Sequence, residues 1–148
     1  MSTTDTSMWR SVRKEDFPDG VSRDGKPAPG VLYPSFEPRL IPGANRVRPA
    51  DVETFTSDEG EFVRSGGGTS LFDRKNVFGA KYWFYFDIPN GTEVPDSLFL
   101  KGPDYNSRYE ANHYQIEPRA RIMRVDAYKG ALDNFARNAI ARAVEAAK

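Results

Sequence analysis

Eleven prolines and twelve glycines cut this chain into short pieces, and that punctuation constrains its fold more than any other feature. Proline removes a backbone donor and stops helices, while glycine marks turns. With aromatic residues at 13%, the pieces read as short strands joined by irregular loops rather than as a helical bundle.

Met8 to Val12 alternates apolar and polar and reads as a strand. Residues 16–45 carry Pro18, Pro27, Pro29, Pro34, Pro38 and Pro42, and irregular chain, either a long loop wrapped on the body or a partly mobile segment, is expected up to about residue 60. Within it, Asp51 to Phe62 reads as a strand or a short helix. A glycine turn, Gly66 to Gly68, leads into Thr69-Ser70-Leu71-Phe72. Lys81 to Ile88 is the clearest strand: Tyr82, Phe84, Phe86 and Ile88 share one face, and Trp83, Tyr85 and Asp87 the other. This aromatic strand is expected to be core. Leu98 to Lys101 is a further strand, ended by Gly102-Pro103. Asn112 to Glu117 is another, with Tyr114 and Ile116 inward and His113, Gln115 and Glu117 on the opposite face.

From about Asp126 the period becomes helical. Tyr128, Ala131, Leu132, Phe135, Ala139, Ile140, Ala143 and Val144 form one stripe, with Asp126 as N-cap or first-turn acid. The length of 148 residues suits one domain, 1–148. The fold class is α+β, short antiparallel strands with a C-terminal helix on one face.

Composition narrows the function. There are 21 basic and 21 acidic residues, so the basic excess common in nucleic-acid binders is missing overall. The chain has no cysteine, which removes thiol catalysis and disulfides and suits a reducing cytosol. Met1 to Ser7 is polar, so no cleavable signal peptide is expected, and no apolar run is long enough for a membrane span. Acidic residues lack ligand-like spacing, so no metal site is expected.

Three groups of residues could carry chemistry. Gly67 and Gly68 could let a ligand approach the backbone, with the Thr69 and Ser70 hydroxyls just beyond; the competing reading is an ordinary loop. His113, Gln115 and Glu117 stand about 6.6 Å apart along one strand face. They could bind ribose hydroxyls and stabilise positive charge at a sugar carbon, or simply form a solvated face. Arg10, beside Trp9, offers a fork suited to a pyrophosphate, or is a surface arginine.

From Gly67 onward the chain resembles the type VI secretion cytotoxin family Tse-two. The matching residues are Gly67-Gly68-Thr69-Ser70 with Phe72-Asp73-Arg74, Ile88-Pro89 with Gly91-Thr92 and Pro95, and Tyr105-Asn106 with Arg108. His113-Tyr114 with Ile116, and Leu132-Asp133-Asn134-Phe135 with Arg137-Asn138-Ala139-Ile140, follow in the same order. Trp9-Arg10 matches faintly. The resemblance implies an ADP-ribosyltransferase-like fold of two small packed sheets. It implies a toxin that uses NAD as substrate without a metal, is exported without a cleavable leader, acts in the target-cell cytoplasm and is neutralised by an immunity protein.

By position, the resemblance implies catalytic roles for Thr69, Ser70 and His113, and an NAD-holding role for Arg10. Glu117, two residues after Gln115, has the Gln-x-Glu spacing of many such transferases. Gly67 and Gly68 would line the cleft, and Phe72 or Tyr105 would stack on nicotinamide. The acceptor is an unidentified macromolecule, or water if the reaction is NAD hydrolysis. The alternatives are a metal-independent ribonuclease toxin, with His, Glu and Arg as acid, base and phosphate clamp, and a non-enzymatic inhibitor that binds a host factor.

Overall fold

Alternating side chains and frequent turns make strands the main regular structure of this molecule, in a computed structural model that describes residues 2–41, 43 and 45–148. Met1, and Pro42 and Ala44 of the proline-rich stretch, lie outside the described residues. In chain order the strands are β1 (Ser2–Thr3), β2 (Met8–Arg13), β3 (Ser22–Arg23), β4 (Lys26–Pro27), β5 (Arg39–Ile41), β6 (Arg46–Arg48) and β7 (Thr54–Ser57). They continue with β8 (Gly60–Arg64), β9 (Thr69–Phe72), β10 (Trp83–Ile88), β11 (Glu93–Val94), β12 (Leu98–Asn106), β13 (Ala111–Pro118) and β14 (Ile122–Arg124). Helix α1 (Val125–Ala146) closes the chain.

A five-stranded antiparallel sheet has the order β10-β2-β9-β13-β12, and a three-stranded sheet the order β14-β8-β7. The ribbons β1–β11, β3–β4 and β5–β6 complete an α+β fold consistent with an ADP-ribosyltransferase-like domain. The two sheets share a corner. β8 pairs with β14 in the small sheet, and their continuations β9 and β13 pair in the large one. Both chains therefore turn from one sheet into the other together, at residues 65–68 and 119–121. Strands that switch sheets need bends, and glycine supplies them.

The Gly66–Gly68 run is this corner. Gly66 has φ +106, a region that side chains with a Cβ rarely enter. Gly67 and Gly68 are bare for another reason. A Cβ on Gly67 would run into the Asp51 carbonyl, and one on Gly68 into the Ile116 carbonyl, whose carbon would lie 2.7 Å away. Their missing side chains make room for the protein's own backbone.

One face of the large sheet meets the helix. Met8, Val12, Leu71, Phe86, Ile88, Leu98, Tyr114 and Ile116 pack with Val125, Tyr128, Leu132, Phe135 and Ala139 in a continuous core. The proline-rich stretch enters that core through Val31 and Leu32, each 1% exposed. Burying two such side chains contributes about 1.5–3 kcal/mol each, enough to pin irregular chain to the body.

Several boundaries differ from expectation. Of the two readings of Asp51 to Phe62 the strand holds, since these residues form most of the β7–β8 hairpin. β12 does not stop at Gly102-Pro103 but runs to Asn106, with a register shift between Lys101 and Asp104. β12 is an edge strand, where a proline without a donor is tolerated at a bulge. The aromatic strand starts at Trp83; Phe86 is core, but Tyr82 precedes the strand and is 59% exposed. Of the two readings of Asp126 the first-turn acid holds, and the N-cap of α1 is Arg124. The apolar stripe is buried as far as Ala139, and Val144 emerges into solvent.

Candidate functional site

β2 and β9 are neighbours, yet only Trp9 and Phe72 are paired. Beyond that pair the strands diverge, and β9 loses ladder partners. Arg10 fills part of the gap: its Nη1 donates to the Ser70 carbonyl at 3.2 Å and its Nη2 to the Tyr33 carbonyl at 3.0 Å. The Thr69 hydroxyl donates to the Leu32 carbonyl at 2.6 Å. Residues 30–33 thus act as a strap along the open edge of β9. Tyr33 ties that strap to the helix by donating its hydroxyl to Asp133 at 2.8 Å.

These groups lie on the core side of the sheet. Arg10 has the parity of buried Met8 and Val12, and Thr69 is fully buried. Burial pushes the Arg10 guanidinium down to about 10, partly opposed by the nearby Asp51 charge. Its Nε is buried and finds no partner among the described residues. The Tyr128 hydroxyl, also core-side, donates to the Ile116 carbonyl at 2.7 Å, and burial raises its pKa. Burial, then the bond to Asp133, pushes Tyr33 up to about 12.

The other face of the sheet carries the second set. Cross-strand partners share a face, which places Ser70 with Gln115 and Phe72 with His113. Glu117 is in the same row and is buried at 7% exposure, so the row is not simply a solvated face. Its Oε1 accepts from the Gly66 N–H at 3.2 Å and its Oε2 from the Gln115 side-chain amide at 3.0 Å. The carboxylate therefore caps a backbone donor freed at the corner, and Gln115 holds it in place.

His113 rests on the Phe72 ring at 5.3 Å, inside an aromatic group that includes Phe78, Trp83 and Tyr109. Burial pushes its imidazole below 6.5, and the Asp104 charge opposes that shift. Two hollows flank the row. One of about 410 Å³ is lined by Lys101, Gly102, Pro103, Asp104, His113 and Gln115. The other, about 490 Å³, lies at the corner between residues 50–53 and 65–67.

The structure thus brings Ser70, Phe72, His113 and Glu117 together on one face. Arg10 and Thr69 sit behind them on the other face, joined to the row through the backbone of β9. Gly67 and Gly68 lie at the corner beside Glu117. Tyr105 stands apart: it pairs with Asn112 and is 64% exposed. Sequence reasoning missed Tyr33 and Asp133 as partners. They are 100 residues apart, and no local pattern joins them.

A split antiparallel sheet of this kind, with a helix behind it and a buried carboxylate, imidazole and hydroxyl in one row, fits the class of ADP-ribosyltransferase-like toxins. Residues 4–144 match the family model described as Tse2 ADP-ribosyltransferase toxin. The chain is also 36% identical over 155 residues to Toxin Tse2 of Pseudomonas aeruginosa, covering 98% of this chain and 94% of that protein. It belongs to the Tse2 ADP-ribosyltransferase toxin family.

Proposed function

We propose that this toxin cleaves NAD and transfers ADP-ribose to a macromolecule in the cytoplasm of a target cell. On this reading it is exported without a cleavable leader and is held in check in its producer by an immunity protein over the cleft. Family membership supports the transferase class. The observation that carries the reading is Glu117, a buried carboxylate fixed by two donors in a row with Ser70 and His113.

In the reaction, the bond from nicotinamide nitrogen to ribose C1′ breaks and nicotinamide leaves with the electron pair. The Glu117 carboxylate faces the cationic sugar that results, and a preorganised charge stabilises such a state without reorganising. The acceptor then bonds to C1′, and its proton passes to the neutral imidazole of His113 or to Glu117. Ser70 orients the ribose beside Gln115, and Phe72 supports the imidazole. Arg10 and Thr69 act as positioning residues that hold β9 from behind, and no metal takes part.

The test incubates the protein with adenylate-labelled NAD and cell extract. Label on protein or nucleic acid supports transfer, whereas free labelled ADP-ribose identifies hydrolysis. Glu117→Gln is expected to cut nicotinamide release about 100-fold. It is expected to cost only about 1–2 kcal/mol of stability, since one of two hydrogen bonds is lost. Wild-type toxicity without nicotinamide release, persisting in NAD-depleted cells, would refute the reading in favour of RNA cleavage or simple inhibition.

A further inference from the structure

Arg10 was the expected phosphate ligand, but both of its terminal nitrogens already bond carbonyls of the core. A dinucleotide carries two phosphate charges, which an exposed cation on the face of the row would suit. Lys101 fits. It is the cross-strand partner of Gln115, shares its face, and is exposed at the rim of the hollow of about 410 Å³ that His113 also lines. Among the described residues it makes no ion pair, unlike Arg13, Arg48, Arg64 and Arg74.

The hollow is a built feature of β12. The register shift between Lys101 and Asp104 moves the edge strand off the ladder beside His113. Gly102 is required there: its φ is +136, and a Cβ would lie 2.8 Å from the His113 carbonyl oxygen. Bulges of this kind re-aim side chains next to active sites. Here the bulge separates one cation, Lys101, from one carboxylate, Asp104, the cross-strand partner of His113. A cation suits a phosphate, and a carboxylate suits a pair of ribose hydroxyls.

We propose that the bulge of β12 is the subsite for the diphosphate and a ribose of the dinucleotide, with Lys101 on the diphosphate and Asp104 on the hydroxyls. This inference rests on the NAD reading above. It gives the charge-bearing role to Lys101 rather than to Arg10.

ADP-ribose is the probe, titrated by calorimetry against wild type, Lys101→Glu, Lys101→Arg and Asp104→Asn, each checked for folding by circular dichroism. Lys101 and Asp104 are exposed, so the variants are expected to fold. Lys101→Glu should weaken binding tenfold or more and Lys101→Arg should restore most of it, on the scale of a hydrogen bond to a charged group. Asp104→Asn should weaken it several-fold. In the labelled-NAD assay, KM for NAD should rise in Lys101→Glu with kcat little changed. Wild-type affinity and KM in Lys101→Glu, with wild type turning NAD over, would overturn the subsite and leave the proposed reaction standing. A wild-type protein that neither binds ADP-ribose nor consumes NAD would overturn both.

Discussion

Replacing Gly68 by alanine separates two explanations of the glycine turn. If Gly68 is bare so that a ligand can approach, Gly68→Ala should fold as wild type and lose only binding. The geometry says otherwise. The added methyl would meet the Ile116 carbonyl, with the carbonyl carbon at 2.7 Å, and the Gln115 Cγ at 3.2 Å. Ile116 belongs to β13 and pairs with Thr69. Its carbonyl also accepts the Tyr128 hydroxyl at 2.7 Å, so it cannot swing away without breaking that bond. Overpacking costs about 1–3 kcal/mol, and loss of the Tyr128 bond adds roughly 1 kcal/mol. A total of about 3 kcal/mol lowers the melting temperature of a chain this size by roughly 6–12 °C. The assay is thermal unfolding followed by circular dichroism without ligand. Gly130→Ala is the control: nothing lies within 4 Å of its Cβ and it sits inside α1, so it should stabilise by about 0.5–1 kcal/mol. A Gly68→Ala protein melting within 2 °C of wild type would refute the packing argument and return the turn to the ligand.

Thr69→Val removes the donor to the buried Leu32 carbonyl. It should cost about 1–3 kcal/mol, while Thr69→Ser keeps the bond and most of the stability; equal melting curves for the two would contradict this. His113 gives a pH signature. Its folded pKa lies below the 6.5 of the unfolded chain, so the folded state binds fewer protons. Its contribution to stability is therefore full above about pH 6.5 and is lost as pH falls from there towards the folded pKa. His113→Gln should flatten the melting temperature between pH 5 and 7, and an unchanged slope would show that the imidazole is not held neutral.

The parts of the fold legible in the sequence are those set by local periodicity. β2, β10, β13 and α1 were all visible, because alternation and the 3.6-residue stripe depend only on neighbours. The row His113, Gln115 and Glu117 followed from the same rule. What stayed hidden depends on distant partners. Pro103 reads locally as a strand end, yet on an edge strand it sits inside β12 at a bulge. Gly67 and Gly68 read as an ordinary loop or an opening for a ligand, yet they are where backbone touches backbone. Arg10 reads as a free fork, and only the divergence of β2 from β9 shows what it bonds. Tyr82 reads as core, and its exposure is set by where β10 begins.

Glu117 shows why the corner and the proposed chemistry belong together. A chain that turns from one sheet into another leaves a donor at Gly66 without a ladder partner, and the Glu117 carboxylate accepts it at 3.2 Å. A buried carboxylate that answers it, with Gln115 on its other oxygen, is held in one orientation by the fold itself. Such a carboxylate is poorly suited to following a moving substrate, but well suited to meeting a positive charge that always appears in the same place. The same bonds that close the corner can therefore fix the electrostatics of sugar transfer. That is why Glu117→Gln should cost about 2.7 kcal/mol in turnover against about 1–2 kcal/mol in stability.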